Sequence, residues 1–373
     1  MLAIAELKRR VQHSATMSAR QTLRFCTSPD GTRIAIASIG SGPPLVRAAH
    51  WLSHVEFDLK SPVWRPWLTE LSRHHSYIRY DQRGCGLSDR DVVDLSLEAW
   101  VSDLEAVVDS LGLKRFPLFG MSQGGAVAVT YAARHPERVS HLVFSGAYVR
   151  GALRRGGGEV GRLEAQTLVN LIRVGWGGSH PGFREVFSHR FLPRGTPEQQ
   201  RWWADLEPVT ASPEVAARTL EAFQQIDVSE LAKSLSVPTL ILHARGDAAV
   251  PFSEGRLLAA LIPGARFVPL ESDNHVLLDT EPAWPVFLSE VRAFLELSPQ
   301  QNVADISERG ALTTAEREVL QLVAEGFDNR AIAERLMKSE KTVRNQVSII
   351  FDKLRVRTRA EAIVKARGTQ VPI

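Results

Sequence analysis

The stretch Phe119-Gly120-Met121-Ser122-Gln123-Gly124-Gly125 constrains the fold more than any other in the chain. It follows the apolar run Pro117-Leu118-Phe119 and precedes Ala126-Val127-Ala128-Val129, so a buried strand turns abruptly into a helix with a serine at the corner. Gly120 and Gly124 stand where a strained turn brings strand and helix so close that side chains would collide. Read as Gly-x-Ser-x-Gly, the turn is a candidate nucleophile elbow with Ser122 at its tip. Five-residue patterns recur by chance, and the plain alternative is a glycine-rich turn without chemistry.

The flanking pattern favours a layered α/β domain. Gln21 to Cys26 and Arg33 to Ser38 alternate around Ser28-Pro29-Asp30-Gly31, which reads as a hairpin. Short apolar runs at Leu45 to Ala48, Tyr77 to Tyr80, His141 to Phe144, Thr239 to His243 and Arg266 to Pro269 read as further strands. Helical spacing lies between them, as in Leu104, Val107, Val108 and Leu111. Strands alternating with helices predict a mainly parallel sheet covered on both faces. Between about residues 146 and 237 the rhythm breaks: Gly156-Gly157-Gly158, Trp176, Trp202 and Trp203 occur among helical stretches with no strand pattern. That segment reads as a helical cap over the strand ends. Its tryptophans are either packing residues of the cap or the lining of an apolar pocket.

A serine hydroxyl is a poor nucleophile until a histidine takes its proton and a carboxylate holds the imidazole in the useful tautomer. In an alternating fold those partners come from loops at the same strand ends, in the chain order Ser, acid, His. Asp247 lies just past Thr239 to His243, in Ala244-Arg245-Gly246-Asp247, and His275 follows Arg266 to Pro269, in Ser272-Asp273-Asn274-His275. Acyl transfer also needs donors for a developing oxyanion. The backbone amide of Gln123 supplies one, and that of Trp51, after Leu45 to Ala48, is the expected second.

These residues resemble the α/β-hydrolase fold family, over about residues 20–297. Within that span Asp81-Gln82-Arg83-Gly84-Cys85-Gly86-Leu87-Ser88 is similar to the family's Asp-x-Arg-Gly-x-Gly-x-Ser loop, which leaves Arg83 and Ser88 as scaffold. The resemblance implies an α/β-hydrolase fold with a helical cap insertion, and hydrolysis of a small ester, lactone or amide through an acyl-enzyme. It implies no cofactor and no metal. A serine at the elbow argues against haloalkane dehalogenation, which uses an aspartate there. Where the family commonly has His-Gly before the oxyanion residue, this chain has Ala49-His50. His50 is read as a hydrogen-bonded wall of the pocket, with ligand contact as the second reading.

After Leu297 the composition shifts. Residues 298–307 read as a polar linker, and 308–373 as a small all-α domain. Thr313-Thr314-Ala315-Glu316 is a capping box for a first helix ended by Gly326. A second helix starts near Asn329, and a third has Ser339 as N-cap and Val343, Val347, Ile350, Phe351 and Leu354 on one face. Thr358 caps a fourth. From Lys338 to Arg367, nine basic residues against three acidic ones make a 30-residue block of about +6, a footprint for a polyanion.

The wording Glu316-Arg317-Glu318-Val319-Leu320, Ala331-Ile332-Ala333, Ser339-Glu340-Lys341-Thr342-Val343 and Arg357-Thr358-Arg359-Ala360-Glu361-Ala362 is similar to the LuxR-type helix-turn-helix domain, over about 55 residues. The resemblance implies double-stranded DNA as a partner, with Arg344, Asn345 and Ser348 at base edges and Lys341, Thr342, Lys353 and Arg357 at phosphates. It also implies a homodimer on two half-sites, paired through the fourth helix. Gln346 stands where the family commonly has histidine.

Composition closes off other classes. No run of about 18 uncharged apolar residues exists, so no membrane span is expected. Residues 1–19 form a charged leader without a signal-peptide core, and Met17 competes with Met1 as the start. The two cysteines, Cys26 and Cys85, fit a reducing cytoplasm and provide neither a disulfide framework nor a zinc site. The sequence therefore predicts a DNA-binding transcriptional regulator whose hydrolase-like domain binds a small acyl ligand, with Ser122, Asp247 and His275 either hydrolysing that ligand or retained as an idle triad in a sensor pocket. The competing reading is a serine hydrolase whose last domain serves localisation or oligomerisation.

Overall fold

The computed structural model describes residues 21–178, 181–296, 314–336, 338–354, 356 and 358–368. The expected leader, both alternative starts and the expected linker lie outside the described residues. The chain divides into two compact units, Met1–Glu296 and Leu297–Ile373.

The first unit is built on an eight-stranded sheet of order β1-β2-β4-β3-β5-β6-β7-β8. Its strands are β1 (Thr22–Thr27), β2 (Arg33–Ile39), β3 (Pro44–Arg47), β4 (Ser76–Tyr80), β5 (Phe116–Met121), β6 (Val139–Ser145), β7 (Thr239–Ala244) and β8 (Arg266–Leu270). The β1–β2 hairpin and the β2–β4 pair are antiparallel, and every other junction is parallel. Leu118, Phe119, Val143, Leu240 and Ile241 are all buried, because a parallel sheet covered on both faces has no solvent side. Each such side chain contributes roughly 1.5–3 kcal/mol of burial.

Strand order decides where a ligand can sit. From β3 the chain steps to β4 on one side and then returns to β5 on the other, so the loops leaving β3 and β5 diverge and open a crevice at their carboxyl ends. Ser122 leaves β5 and His50-Trp51 leave β3 at that point. The Ala48 amide donates to the Phe119 carbonyl at 2.9 Å, which ties the two exits together.

The Asp81–Ser88 loop is scaffold by its bonding. Asp81 accepts from the Val55 and Leu87 amides at 2.9 Å each, and Ser88 Oγ donates to the Asp81 carbonyl at 2.7 Å. Burial pushes the Asp81 carboxyl up to about 6, against the pull of those amides and of Arg79. Arg83 grips Asp103 with two bonds of 2.8 and 2.7 Å and reaches Asp30 at 2.6 Å.

Between β6 and β7 the described residues form the helices Gly158–Gly175, Pro181–Phe191, Pro197–Thr210, Pro213–Gln225 and Ser229–Lys233. A short 3-10 turn, Ala152–Arg154, and an isolated bridge, Arg150 to Asp227, accompany them. Thr196 and Ser212 start two of these helices as side-chain caps, each followed by proline at the first turn. Trp176 donates its indole N–H to the Ala211 carbonyl at 3.0 Å and stacks on Trp51 at 5.5 Å. Trp202 stacks on Phe57, whereas Trp203 is buried against Phe191 and Trp64.

The second unit holds the helices Thr314–Ala324, Asn329–Arg335, Glu340–Leu354 and Arg359–Gly368. Val319, Val323, Ile332, Val343, Ile350 and Ala362 form its core. Val343, Val347 and Ile350 are buried on one face of the third helix, as its spacing requires, and Phe351 is partly buried. Ser339 Oγ accepts from the Thr342 amide at 3.1 Å, and Thr358 Oγ1 accepts from the Glu361 amide at 3.2 Å. Thr313 of the expected capping box and the side chain of Leu354 lie outside the described residues. The cap of the second helix, Asp328, accepts from Ala331 at 2.8 Å and was not singled out from sequence.

Candidate active site and nucleic-acid interface

Ser122 has φ 51°, a left-handed conformation that a non-glycine residue adopts only where its surroundings force it. Its amide donates to the Ser145 carbonyl at 3.1 Å, and its carbonyl accepts from Gly125 at 3.0 Å, which fixes the turn. A Cβ on Gly120 would stand 3.0 Å from the Gly125 Cα and from the Phe144 ring. Gly124 has a different neighbour from the one its place in the turn suggested: a Cβ there would meet the Ala49 and Ala48 carbonyls at 2.9 and 3.1 Å. Two crossing pieces of backbone therefore set the turn, the start of the helix Gly124–Arg134 and the exit from β3.

Asp247 and His275 leave neighbouring strand ends, β7 and β8, and meet. His275 Nδ1 lies 2.8 Å from Asp247 Oδ2. An ionised carboxylate only accepts, so Nδ1 donates, and in the neutral tautomer of the ring Nε2 carries the lone pair. That Nε2 is buried without a partner among the described residues, and His275 lines the same cavity as Ser122. The Ala249 and Val250 amides each donate to Asp247 Oδ1 at 2.8 Å. Burial alone would raise the Asp247 carboxyl. His275, His243 and the Val250 amide outweigh it and hold the group below its ordinary value, so it stays ionised. His243 lies 3.5 Å from Asp247 but engages the Val250 carbonyl at 3.0 Å, and burial lowers its pKa.

Gly146 allows this meeting. It has φ +55°, and a Cβ there would stand 3.0 Å from His275 Cε1, 3.1 Å from Nδ1 and 3.3 Å from Asp247 Oδ2.

The cavity of about 100 Å³ is lined by Ser122, His275, Trp51 and Gln123, under a roof of cap residues that includes Phe187 and Phe223. Among the described residues, no acceptor is paired with the backbone N–H of Trp51 or of Gln123. Leu52, next after Trp51, has φ 62°, so the loop leaving β3 is sharply bent where His50 replaces the smaller residue. His50 is a wall by contact: its ring lies 5.1 Å from Trp64 and its Nδ1 is 2.7 Å from the Trp51 carbonyl. Burial, then the Arg47 charge, hold its pKa well below the ordinary range, which keeps the ring neutral.

Sequence reasoning missed the polar residues that the cap contributes: Tyr148, Arg155, Arg190 and Gln224 all line the cavity. No motif marks them, since they come from separate cap segments and converge only when these fold over β5.

In the second unit the third helix presents Thr342, Arg344 and Ser348 to solvent. Arg344 pairs with Glu340 at 2.9 Å, a highly exposed contact one turn apart, which holds a guanidinium only weakly. Gln346, in the place of the commoner histidine, accepts from Lys338 Nζ at 3.2 Å. The side chains of Lys341, Asn345 and Lys353, and Arg357 as a whole, lie outside the described residues. No described helix of the chain is long and apolar enough to cross a membrane.

The profile of the α/β hydrolase fold matches residues 57–282, and that of the bacterial regulatory proteins of the luxR family matches residues 310–366. The chain is 28% identical over 254 residues to the AB hydrolase superfamily protein YisY of Bacillus subtilis, covering 67% of this chain and 91% of that protein. It is 27% identical over 261 residues to a non-heme haloperoxidase of Rhodococcus erythropolis, covering 67% of this chain and 92% of the relative. Among solved structures, the esterase EaEST of Exiguobacterium antarcticum superposes with a TM-score of 0.64 at 26% identity, covering 74% of this chain and all of that one. The chain belongs to the α/β-hydrolase fold family and joins that domain to a LuxR-family regulatory domain.

Proposed function

We propose that the protein is a DNA-binding transcriptional regulator whose hydrolase-fold domain binds a small acyl compound at Ser122 and hydrolyses it. The observation that carries this is the strained Ser122 and the Asp247–His275 pair on one roofed cavity, in a chain that also holds a LuxR-family domain. His275 Nε2 takes the proton as Ser122 Oγ attacks the acyl carbon, and Asp247 stabilises the imidazolium. The Gln123 and Trp51 amides receive the oxyanion. The alcohol or amine leaves with the proton from His275, and water, activated by the same nitrogen, frees the acid. Hydrolysis then ends the occupancy of the pocket, so the same serine both registers the ligand and removes it.

A hydrolase with a merely localising tail uses the same chemistry, and DNA binding separates the two readings. Arg344 and Ser348, with Asn345, are assigned to base edges, and Lys341 and Thr342 to phosphates. Arg344→Ala weakens binding to a selected duplex by about 1–3 kcal/mol. Wild-type affinity falls steeply with salt, because neutralised phosphates release counterions. Unchanged affinity on titrating the duplex with this variant would remove Arg344 from the interface. Two copies on two half-sites follow from the same reading, and equilibrium sedimentation with duplex reports that stoichiometry.

Gly146→Ala tests the catalytic geometry without touching a reacting group. The added Cβ displaces the His275 ring, and misplacement on the ångström scale lowers kcat/KM on an activated ester on the order of tenfold to a hundredfold. A variant with wild-type kcat/KM would show that the ring position does not matter.

A further inference from the structure

Two arginines line the cavity without a carboxylate partner among the described residues. Arg155 donates from Nε to the Arg150 carbonyl at 2.9 Å and lies 4.9 Å over the Tyr148 ring. Arg190 donates from Nη2 to the Ala249 carbonyl at 3.2 Å. Neither contact neutralises a charge, and a guanidinium stays protonated in a protein.

The carboxylates nearest in effect are Asp247, Glu254 and Glu164. Asp247 is committed to His275 and to two backbone amides, and Glu254 pairs with Arg150 at 2.8 Å. Glu164 is exposed and forms no ion pair with either arginine among the described residues. Burial disfavours both guanidinium charges, and Arg155 further disfavours that of Arg190. Two like charges at a mostly apolar cavity are costly unless an anion joins them, and a planar guanidinium suits a carboxylate best.

We propose that the ligand is a short acyl compound carrying a free carboxylate besides the bond presented to Ser122, with Arg155 and Arg190 binding that carboxylate. The apolar walls Leu168, Leu220 and Phe223 fit the carbon chain between the two ends. A half-ester of a short dicarboxylic acid has this form. The inference deepens the assignment of the cavity as the ligand site and stands apart from whether Ser122 turns the ligand over.

The test is calorimetric titration of the full chain carrying Ser122→Ala with monomethyl glutarate and with dimethyl glutarate, at pH 7. The monoester binds tighter, on the order of tenfold, since a charge-assisted pair is made with one and lost with the other. Adding Arg155→Gln and Arg190→Gln brings the ratio close to one. The ratio is internal to each protein, so a general loss of folding, which weakens both ligands, does not imitate the effect. Equal affinities in the arginine-containing protein, binding of neither ester, or a preference that survives both substitutions overturns the proposal. If the preference holds while the protein with Ser122 intact cleaves neither ester, the carboxylate site stands and the catalytic reading fails.

Discussion

Replacing Ser122 by alanine lowers kcat on an activated ester by roughly 10⁴- to 10⁶-fold, the loss expected when the nucleophile of a serine–histidine–aspartate unit is removed. The large figure follows from the division of labour in the site. Among the described residues His275 Nε2 has no partner, and Asp247 engages His275 Nδ1. In the proposed mechanism the first takes the proton of the serine and the second acts through His275. Without the hydroxyl, neither has a substrate-facing task. A residual rate remains, because the Gln123 and Trp51 amides still polarise an acyl carbonyl. The fold should not notice: one hydroxyl is lost at a residue already in a left-handed conformation, and stability changes by less than about 1 kcal/mol. Steady-state hydrolysis and a thermal melt on the same preparation check both statements. A loss below tenfold would assign the hydrolysis to another group.

Arg83→Met has the largest effect expected on stability. Arg83 and Asp103 are both about 1% exposed, and after the substitution Asp103 keeps, among the described side chains, only the Ser28 hydroxyl, at 2.5 Å. An uncompensated buried carboxylate costs about 3–5 kcal/mol, which in a domain of this size lowers the unfolding midpoint by roughly 10 °C. The pH dependence has a definite sign. Burial already raises the Asp103 carboxyl above 3.8 in the presence of Arg83, and the substitution removes the charge that opposes it. An acid raised on folding costs stability in full above its folded pKa, and that cost disappears as pH falls toward its unfolded value. The deficit of Arg83→Met relative to wild type is therefore greatest at pH 8 and shrinks toward pH 5. Thermal melts across that range measure it, and a deficit that grows on acidification would contradict the account. The double change Arg83→Met with Asp103→Leu recovers part of the loss, since no charge is then left buried.

The strands were legible in the sequence because a parallel sheet buries both faces. Runs such as Leu118-Phe119 and Leu240-Ile241 have no polar alternation to confuse with a surface strand. Ser122, Asp247 and His275 were legible for a different reason: each lies within a few residues of the end of a strand, so one short local pattern places it at the carboxyl ends of the sheet. The cap was legible only as an interruption. Its helices could be inferred, but Arg155 and Arg190 carry no local pattern, and what brings them to Ser122 is the fold of the cap over β5. Gly146 shows the same limit, since the need for a missing Cβ arises from His275, far away in sequence. In the second unit, dense local spacing in a small all-helical domain made the four helices readable. The role of Asp328 as a cap was the part overlooked.

Under the proposed function, occupancy of the Ser122 cavity is reported to DNA. A ligand shifts such a protein only if it binds its two states with different affinity, so occupancy and duplex affinity must be coupled. The most direct measurement treats the full chain with a fluorophosphonate, confirms the adduct at Ser122 by peptide mass, and titrates a duplex selected by the untreated protein. The expected result is complete labelling of wild type, none of Ser122→Ala, and a change of several-fold in duplex affinity that occurs only in the labelled protein. Quantitative labelling at Ser122 with unaltered duplex affinity would contradict it.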